Sequence, residues 1–121
     1  MHIHHFGVKV KDVEAALKFY CEVLGFNLKE TVDMGGQHYY FVGDENMSLE
    51  IEQSYQAGEK PYDNGYSHMA LAVDDLDAYC RRLRQQSVKF LLEPSQFRPD
   101  RKIAFIKDPE GNAIQIIEFL K

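Results

Sequence analysis

His5-Phe6-Gly7-Val8-Lys9-Val10-Lys11-Asp12-Val13 and His68-Met69-Ala70-Leu71-Ala72-Val73-Asp74-Asp75-Leu76 are two versions of one pattern, 63 residues apart. Each begins with a histidine, alternates in character for several residues and reaches an aspartate. Each then passes into a stretch with helical spacing. Strict alternation reads as a strand, and an aspartate before an apolar period of 3.6 reads as a helix start. A repeat of this length has to be found early, because missing it misreads the whole fold.

Working outward, both helices carry start and stop signals. In the first, Asp12 is the candidate N-cap and Glu14 lies in the first turn, where the helix dipole favours negative charge. Val13, Ala16, Leu17, Tyr20 and Leu24 form an apolar stripe, and Gly25 stands where a left-handed C-terminal cap belongs. In the second, Asp74 or Asp75 is the cap and Leu76, Tyr79, Cys80 and Leu83 form the stripe. Strands are predicted over Phe26–Val32, Gln37–Gly43 and Met47–Glu52, then over Val88–Leu92, Lys102–Lys107 and Ala113–Phe119. Met34-Gly35-Gly36 and Asp108-Pro109-Glu110-Gly111-Asn112 read as turns. The element order predicts an α+β chain of two tandem βαβββ modules. Module 1 spans about 1–57, a turn-rich linker about 58–65, and module 2 about 66–121 of a single domain.

Composition narrows the function. The 121 residues are 45% hydrophobic and 27% charged, ordinary values for a globular chain able to bury a core. The net charge of −5 argues against nucleic acid as a partner, because phosphate binding needs a basic face. No apolar run is long enough to span a bilayer. Met1-His2-Ile3-His4-His5 has no apolar signal region, and the expected location is the cytoplasm. Cys21 and Cys80 lie in helical stretches and are expected to be reduced thiols.

Strand parity then separates two faces. Phe6, Val8 and Val10 should pack on the helix, as should Met69, Leu71 and Val73 in the second copy. His5 and Gly7, and likewise His68, Ala70 and Ala72, take the other face. In the closing strands Leu49, Ile51, Ile114 and Ile116 point to the helix, while Ser48, Glu50, Glu52, Ala113 and Gln115 point away. The open face thus offers His5, Glu50, His68 and Gln115, two imidazoles with two oxygen donors, a plausible set for a divalent first-row metal. Small residues beside the histidines leave room for a ligand. Glu52 shares the parity of Glu50 and reads as solvated unless the register slips. His2, His4 and His38 read as ordinary surface histidines. Glu118 falls on the opposite face by parity.

Across nearly its whole length the sequence resembles the vicinal oxygen chelate superfamily, the fold of glyoxalase I, bleomycin-resistance proteins and extradiol dioxygenases. The resemblance is carried by His5, Asp12, Tyr20 and Leu24-Gly25-Phe26, by Ser67-His68-Met69-Ala70-Leu71-Ala72-Val73-Asp74, and by Asp108-Pro109-Glu110-Gly111-Asn112 with Ile114. The short two-module chain looks most like bacterial glyoxalase I, the lactoylglutathione lyases. The resemblance implies a curved mixed sheet around a central cavity and a homodimer. It also implies a divalent metal (Ni, Zn, Co, Mn or Fe) held by one residue from each of four strands. The matching positions are His5, Glu50, His68 and Gln115, and the spacing to His68 favours Glu50 over Glu52.

The family usually has glutamate where this chain has Gln115. An amide oxygen can ligate but cannot take up a proton. The proton-transfer role implied by the resemblance therefore moves to Glu50. The expected activity is that of a metal-dependent lyase or isomerase on a small α-carbonyl or hemithioacetal substrate. Tyr39 and Phe41, or Tyr40 and Val42, would wall the pocket, depending on register. Lys9, Arg98, Arg101 and Lys102 are the basic residues available for substrate carboxylates, and none forms a specific signature. The rival reading is a metal-free protein that binds a small molecule or antibiotic, with Tyr39, Tyr40, Tyr55, Tyr62 and Tyr66 available for stacking. A non-haem iron dioxygenase is a weaker third, because Gln115 replaces the carboxylate that such a centre needs.

Overall fold

A computed structural model describes residues 4–34, 36–53 and 68–121. The expected linker over 58–65, together with His2, Gly35, Tyr55, Tyr62 and Tyr66, lies outside the described residues. The chain divides into two compact units, Met1–Asn64 and Gly65–Lys121.

The first unit runs β1 (His5–Lys9), α1 (Val13–Leu17, continued by a π-helical segment Lys18–Val23), β2 (Asn27–Met34), β3 (Gln37–Gly43) and β4 (Ser48–Glu52). Its four strands lie in the order β1-β4-β3-β2, with β1 parallel to β4 and the other pairs antiparallel. The second unit runs β5 (Met69–Ala72), α2 (Leu76–Gln85), β6 (Phe90–Arg98), β7 (Arg101–Lys107) and β8 (Ala113–Phe119). Its strand order is β5-β8-β7-β6, again with the first pair parallel. Each unit is a βαβββ module with its own four-stranded mixed sheet, the α+β architecture of tandem repeats.

The registers of the two sheets match position for position. Gly7 pairs with Glu50 as Ala70 pairs with Gln115, and Val8 pairs with Ile51 as Leu71 pairs with Ile116. Phe41 stands opposite Glu50 as Phe105 stands opposite Gln115. A one-residue slip in either sheet would turn every side chain of a strand to the wrong face. The matching registers therefore give the two modules one division between helix face and open face.

The helix face is the core. Val10, Ile51, Leu76, Cys80, Ile106 and Ile116 are fully buried, and burying each large aliphatic side chain contributes about 1.5–3 kcal/mol. Phe6 departs from this pattern: expected to pack on the helix, it is 56% exposed. Cys80 is buried and Cys21 half-buried, and neither is in a disulfide. Burial pushes both thiols up.

Both helices begin as expected. Asp12 accepts a hydrogen bond from the Ala15 amide and Asp75 from the Ala78 amide, so Asp75 rather than Asp74 is the cap. In the second unit Glu118 reaches from β8 and accepts from the Leu76 amide at 2.8 Å, which gives α2 a second acceptor at its N-terminus. The ends differ. The π segment closes with Leu24 N–H donating to Phe19 C=O and Phe26 N–H to Tyr20 C=O, around Gly25 at φ +89°. The second helix instead puts Ser87 at φ +60°, a conformation that L-residues avoid.

Other boundaries also differ from expectation. The second strand runs on to Met34, and β6 continues through Pro94 to Arg98 rather than ending at Leu92. Proline is tolerated there because, among the described residues, β6 is an edge strand bonded to β7 alone, with register shifts around Pro94. The Asp-Pro-Glu-Gly-Asn motif is a turn. The buried Asp108 carboxylate accepts from the Glu110 and Asn112 amides and from Asn112 Nδ2. Asp44 does the same between β3 and β4 with the amides of Asn46 and Met47, which hold its carboxyl below the usual range.

Candidate functional site

The open face of the first sheet is built from three strands. From β1 come His5, Gly7 and Lys9, from β4 Glu50 and Glu52, and from β3 Tyr39 and Phe41, which stand opposite Glu52 and Glu50. The register thus selects Tyr39 and Phe41 over Tyr40 and Val42. Val42 is buried, on the helix side. His5 Nε2 lies 4.0 Å from Glu50 Oε1, and the side chains are 37% and 20% exposed. The edge of one ring meets the face of the other where His5 packs on Phe41, with centroids 5.1 Å apart.

Gly7 is small for a reason seen in the structure. A Cβ there would stand 3.2 Å from Glu52 Oε2 and 3.5 Å from Glu50 Oε1. Both carboxylates lean over the glycine, so part of the room it leaves is filled by oxygen. Burial pushes the Glu52 carboxyl up, as does its neighbour Glu50, while Lys9 and His5 act in the opposite direction. Two carboxylates, one imidazole and one ammonium group make this face anionic.

The second sheet repeats the frame without the charge. His68 precedes β5, and its ring meets Phe105 edge to face at 5.2 Å, matching His5 on Phe41. Gln115 pairs with Ala70 on β5 and with Phe105 on β7. Where the first sheet has Lys9 and Glu52, the second has Ala72 and Ile117, and Ile117 is buried.

His5 and Glu50 lie on the first sheet, Gln115 lies at the position of the second sheet that matches Glu50, and His68 stands just before β5. Among the described residues no three His, Cys, Asp or Glu side chains gather into a group that could hold a metal ion. Each unit presents a nitrogen donor and an oxygen donor instead. Two atoms bonded to one zinc ion at about 2.0–2.2 Å stand roughly 3–3.5 Å apart. The 4.0 Å between His5 Nε2 and Glu50 Oε1 is somewhat longer than that. Imidazole nitrogen with carboxylate and amide oxygen suits a borderline divalent ion such as Zn, Ni or Co. The donor types of each unit are ones that such an ion accepts.

Other expectations resolve into structural roles. Glu118 lies on the helix side, where parity put it, as an acceptor for α2. Of the four basic residues considered for substrate, Arg98 and Arg101 bind Asp100 between β6 and β7, and Lys102 bonds Asp77 at 2.5 Å. Only Lys9 shares the open face with a candidate ligand. His38 pairs with Asp33 across the β2–β3 hairpin. Sequence reasoning missed His4: its Nδ1 lies 2.8 Å from His5 Nδ1, and its ring also meets Phe41 edge to face. The one signal available was its place beside His5, which parity assigns to the opposite face.

The comparisons with known proteins follow this geometry. Residues 2–116 match the family described as Glyoxalase/Bleomycin resistance protein/Dioxygenase superfamily. A probable lactoylglutathione lyase of Synechocystis sp. is 34% identical, covering 98% of this chain and 95% of its own. The lactoylglutathione lyase of Haemophilus influenzae is also 34% identical, over 98% of this chain and 93% of its own. Among solved structures, TnmS3, an antibiotic binding protein from Streptomyces sp. CB03234, superposes with TM-score 0.81 at 28% identity, over 98% and 96% of the two chains. A V278E mutant of glyoxalase I from Zea mays superposes with TM-score 0.86 at 24% identity, over 99% of this chain and 45% of the maize protein, a likeness of fold. With tandem βαβββ modules, matched open faces and this agreement over almost its full length, the chain belongs to the glyoxalase/bleomycin resistance protein/dioxygenase superfamily.

Proposed function

We propose that the chain is a metal-dependent lyase or isomerase of the glyoxalase I kind, acting on a hemithioacetal or another small α-carbonyl compound. The observation that supports it most is the His5–Glu50 pair, whose register is repeated by His68 and Gln115. The lactoylglutathione lyases among its relatives support the same reading. In this reading the four residues hold one divalent ion and the chain works as a cytoplasmic homodimer.

A divalent ion there would supply Lewis-acid polarisation of two neighbouring substrate oxygens. The remaining work falls to the protein. Glu50 takes the proton from the substrate carbon and returns it to the adjacent carbon. Gln115 keeps an oxygen donor in the second copy and takes no part in proton transfer, because an amide has no basic carboxylate. Phe41 and Phe105 brace the two imidazoles and limit their rotation. Lys9, at the end of the line His5, Gly7, Lys9, offers a cation to an anionic part of the substrate.

The direct test is turnover of the hemithioacetal formed by glutathione and an α-ketoaldehyde. The expected result is isomerisation that chelation abolishes and Ni, Zn, Co or Mn restores. No turnover with any of these metals would contradict the proposal. A second reading, a metal-free protein that sequesters a small molecule, is favoured by the likeness to an antibiotic binding protein and by Gln115. Saturable binding of an aromatic antibiotic, unchanged by chelator and without turnover, would decide for it.

A further inference from the structure

We propose that His4 is a positioning residue that biases the His5 imidazole toward the tautomer with its proton on Nδ1 and its lone pair on Nε2. The proposal rests on the metal-centre reading for its function and on geometry alone for its chemistry. The two Nδ1 atoms are 2.8 Å apart, a hydrogen-bond distance. Between neutral imidazoles such a contact holds one proton, so one ring donates and the other accepts. The opposite nitrogen of His5, Nε2, is the one turned toward Glu50, 4.0 Å from its Oε1. For Nε2 to present a lone pair to a ligand, the proton of His5 must sit on Nδ1. His4 Nδ1 is placed to accept it, and its own proton then sits on Nε2.

Metal-binding histidines generally donate their second N–H to a carboxylate, carbonyl or water, which settles both tautomer and ring orientation. Here an exposed imidazole takes that part. Phe41 supports the arrangement, meeting His5 edge to face at 5.1 Å and His4 at 6.3 Å. The pair of adjacent histidines belongs to the first copy, since Ser67 precedes His68 in the second. It sits on the copy that carries Glu50, where a charged carboxylate would otherwise draw the proton of His5 to Nε2.

The test is the tautomer of His5, read from the ¹⁵N shifts and two-bond ¹H–¹⁵N couplings of its ring in metal-free protein. It is run at about pH 8, where an unperturbed imidazole is neutral. Wild-type His5 is expected to carry more of the Nδ1–H form than His5 in His4→Ala. His4→Asn, whose side-chain carbonyl can accept, should recover part of the difference. His4 is exposed, so both variants should fold. Equal tautomer populations in wild type and His4→Ala, or more Nδ1–H in the variant, would overturn the proposal. The same variants titrated with zinc should bind about 10–100-fold more weakly for His4→Ala than for wild type. If wild type itself fails to bind zinc, the metal reading fails, and the tautomer populations still decide the role of His4.

Discussion

The two modules share a frame and differ in chemistry. Both have the same strand order, the same registers, an Asp-capped helix and a histidine braced by a phenylalanine. On the open face, however, the first carries Lys9, Glu50 and Glu52, and the second Ala72, Gln115 and Ile117 at the equivalent positions. The helix faces stay apolar in both, because a buried residue has many neighbours to satisfy. The open face is where the copies are free to diverge. Charge is concentrated in one copy, while the other keeps a neutral mirror of the same donors.

The comparison can be broken most strongly at its key difference. Glu50→Gln gives the first copy the amide of the second. We expect turnover of the hemithioacetal to fall about 10²–10⁴-fold, the usual range for loss of a general base. Thermal stability should stay near wild type. The reciprocal change, Gln115→Glu, should leave turnover in place and tighten divalent binding about tenfold, ~1.4 kcal/mol, by adding an anionic donor. Steady-state kinetics and calorimetry on the two variants check both.

A smaller effect tests the helix ends. Gly25 takes φ +89°, and a Cβ added there would meet nothing within 4 Å, so Gly25→Ala should cost only the left-handed penalty, about 1–2 kcal/mol. Ser87 holds φ +60° with a side chain, and Ser87→Gly should gain about 0.5–1 kcal/mol, the relief being partly offset by a freer unfolded chain. Urea titrations of the two variants should move in opposite directions.

The smallest effect concerns Glu52. Its carboxyl is raised in the fold, so the folded state binds more protons than the unfolded chain between the two pKa values. Stability from this group is present at low pH and is lost as pH rises through the folded value. Glu52→Gln should therefore stabilise by about 0.3 kcal/mol at neutral pH, the scale of a partly exposed charge interaction, and by nothing near pH 4. Melting curves at both pH values check it.

The repeat made most of the frame legible in the sequence, since one module could be read against the other. Strand parity separated helix face from open face correctly at His5, Glu50, Gln115 and Glu118. Four features were hidden, each for a local physical reason. The π segment Lys18–Val23 leaves the apolar stripe of a helix almost unchanged. Pro94 stops a strand in a single-sequence reading but not at a sheet edge. The His4–His5 contact joins neighbours that strand parity assigns to opposite faces, and it forms just where β1 begins. The two carboxylates leaning over Gly7 also needed coordinates, because parity predicts a face but not how far a side chain leans along it.

The central proposal, that His5, Glu50, His68 and Gln115 serve as ligands of a divalent ion, is tested most directly by calorimetry. The metal-free protein is titrated with Ni, Zn, Co and Mn beside the double variant His5→Ala, His68→Ala. The account predicts tight binding at a single kind of site in the wild type and none in the double variant. Absence of binding in the wild type, or binding that survives loss of both histidines, would contradict it.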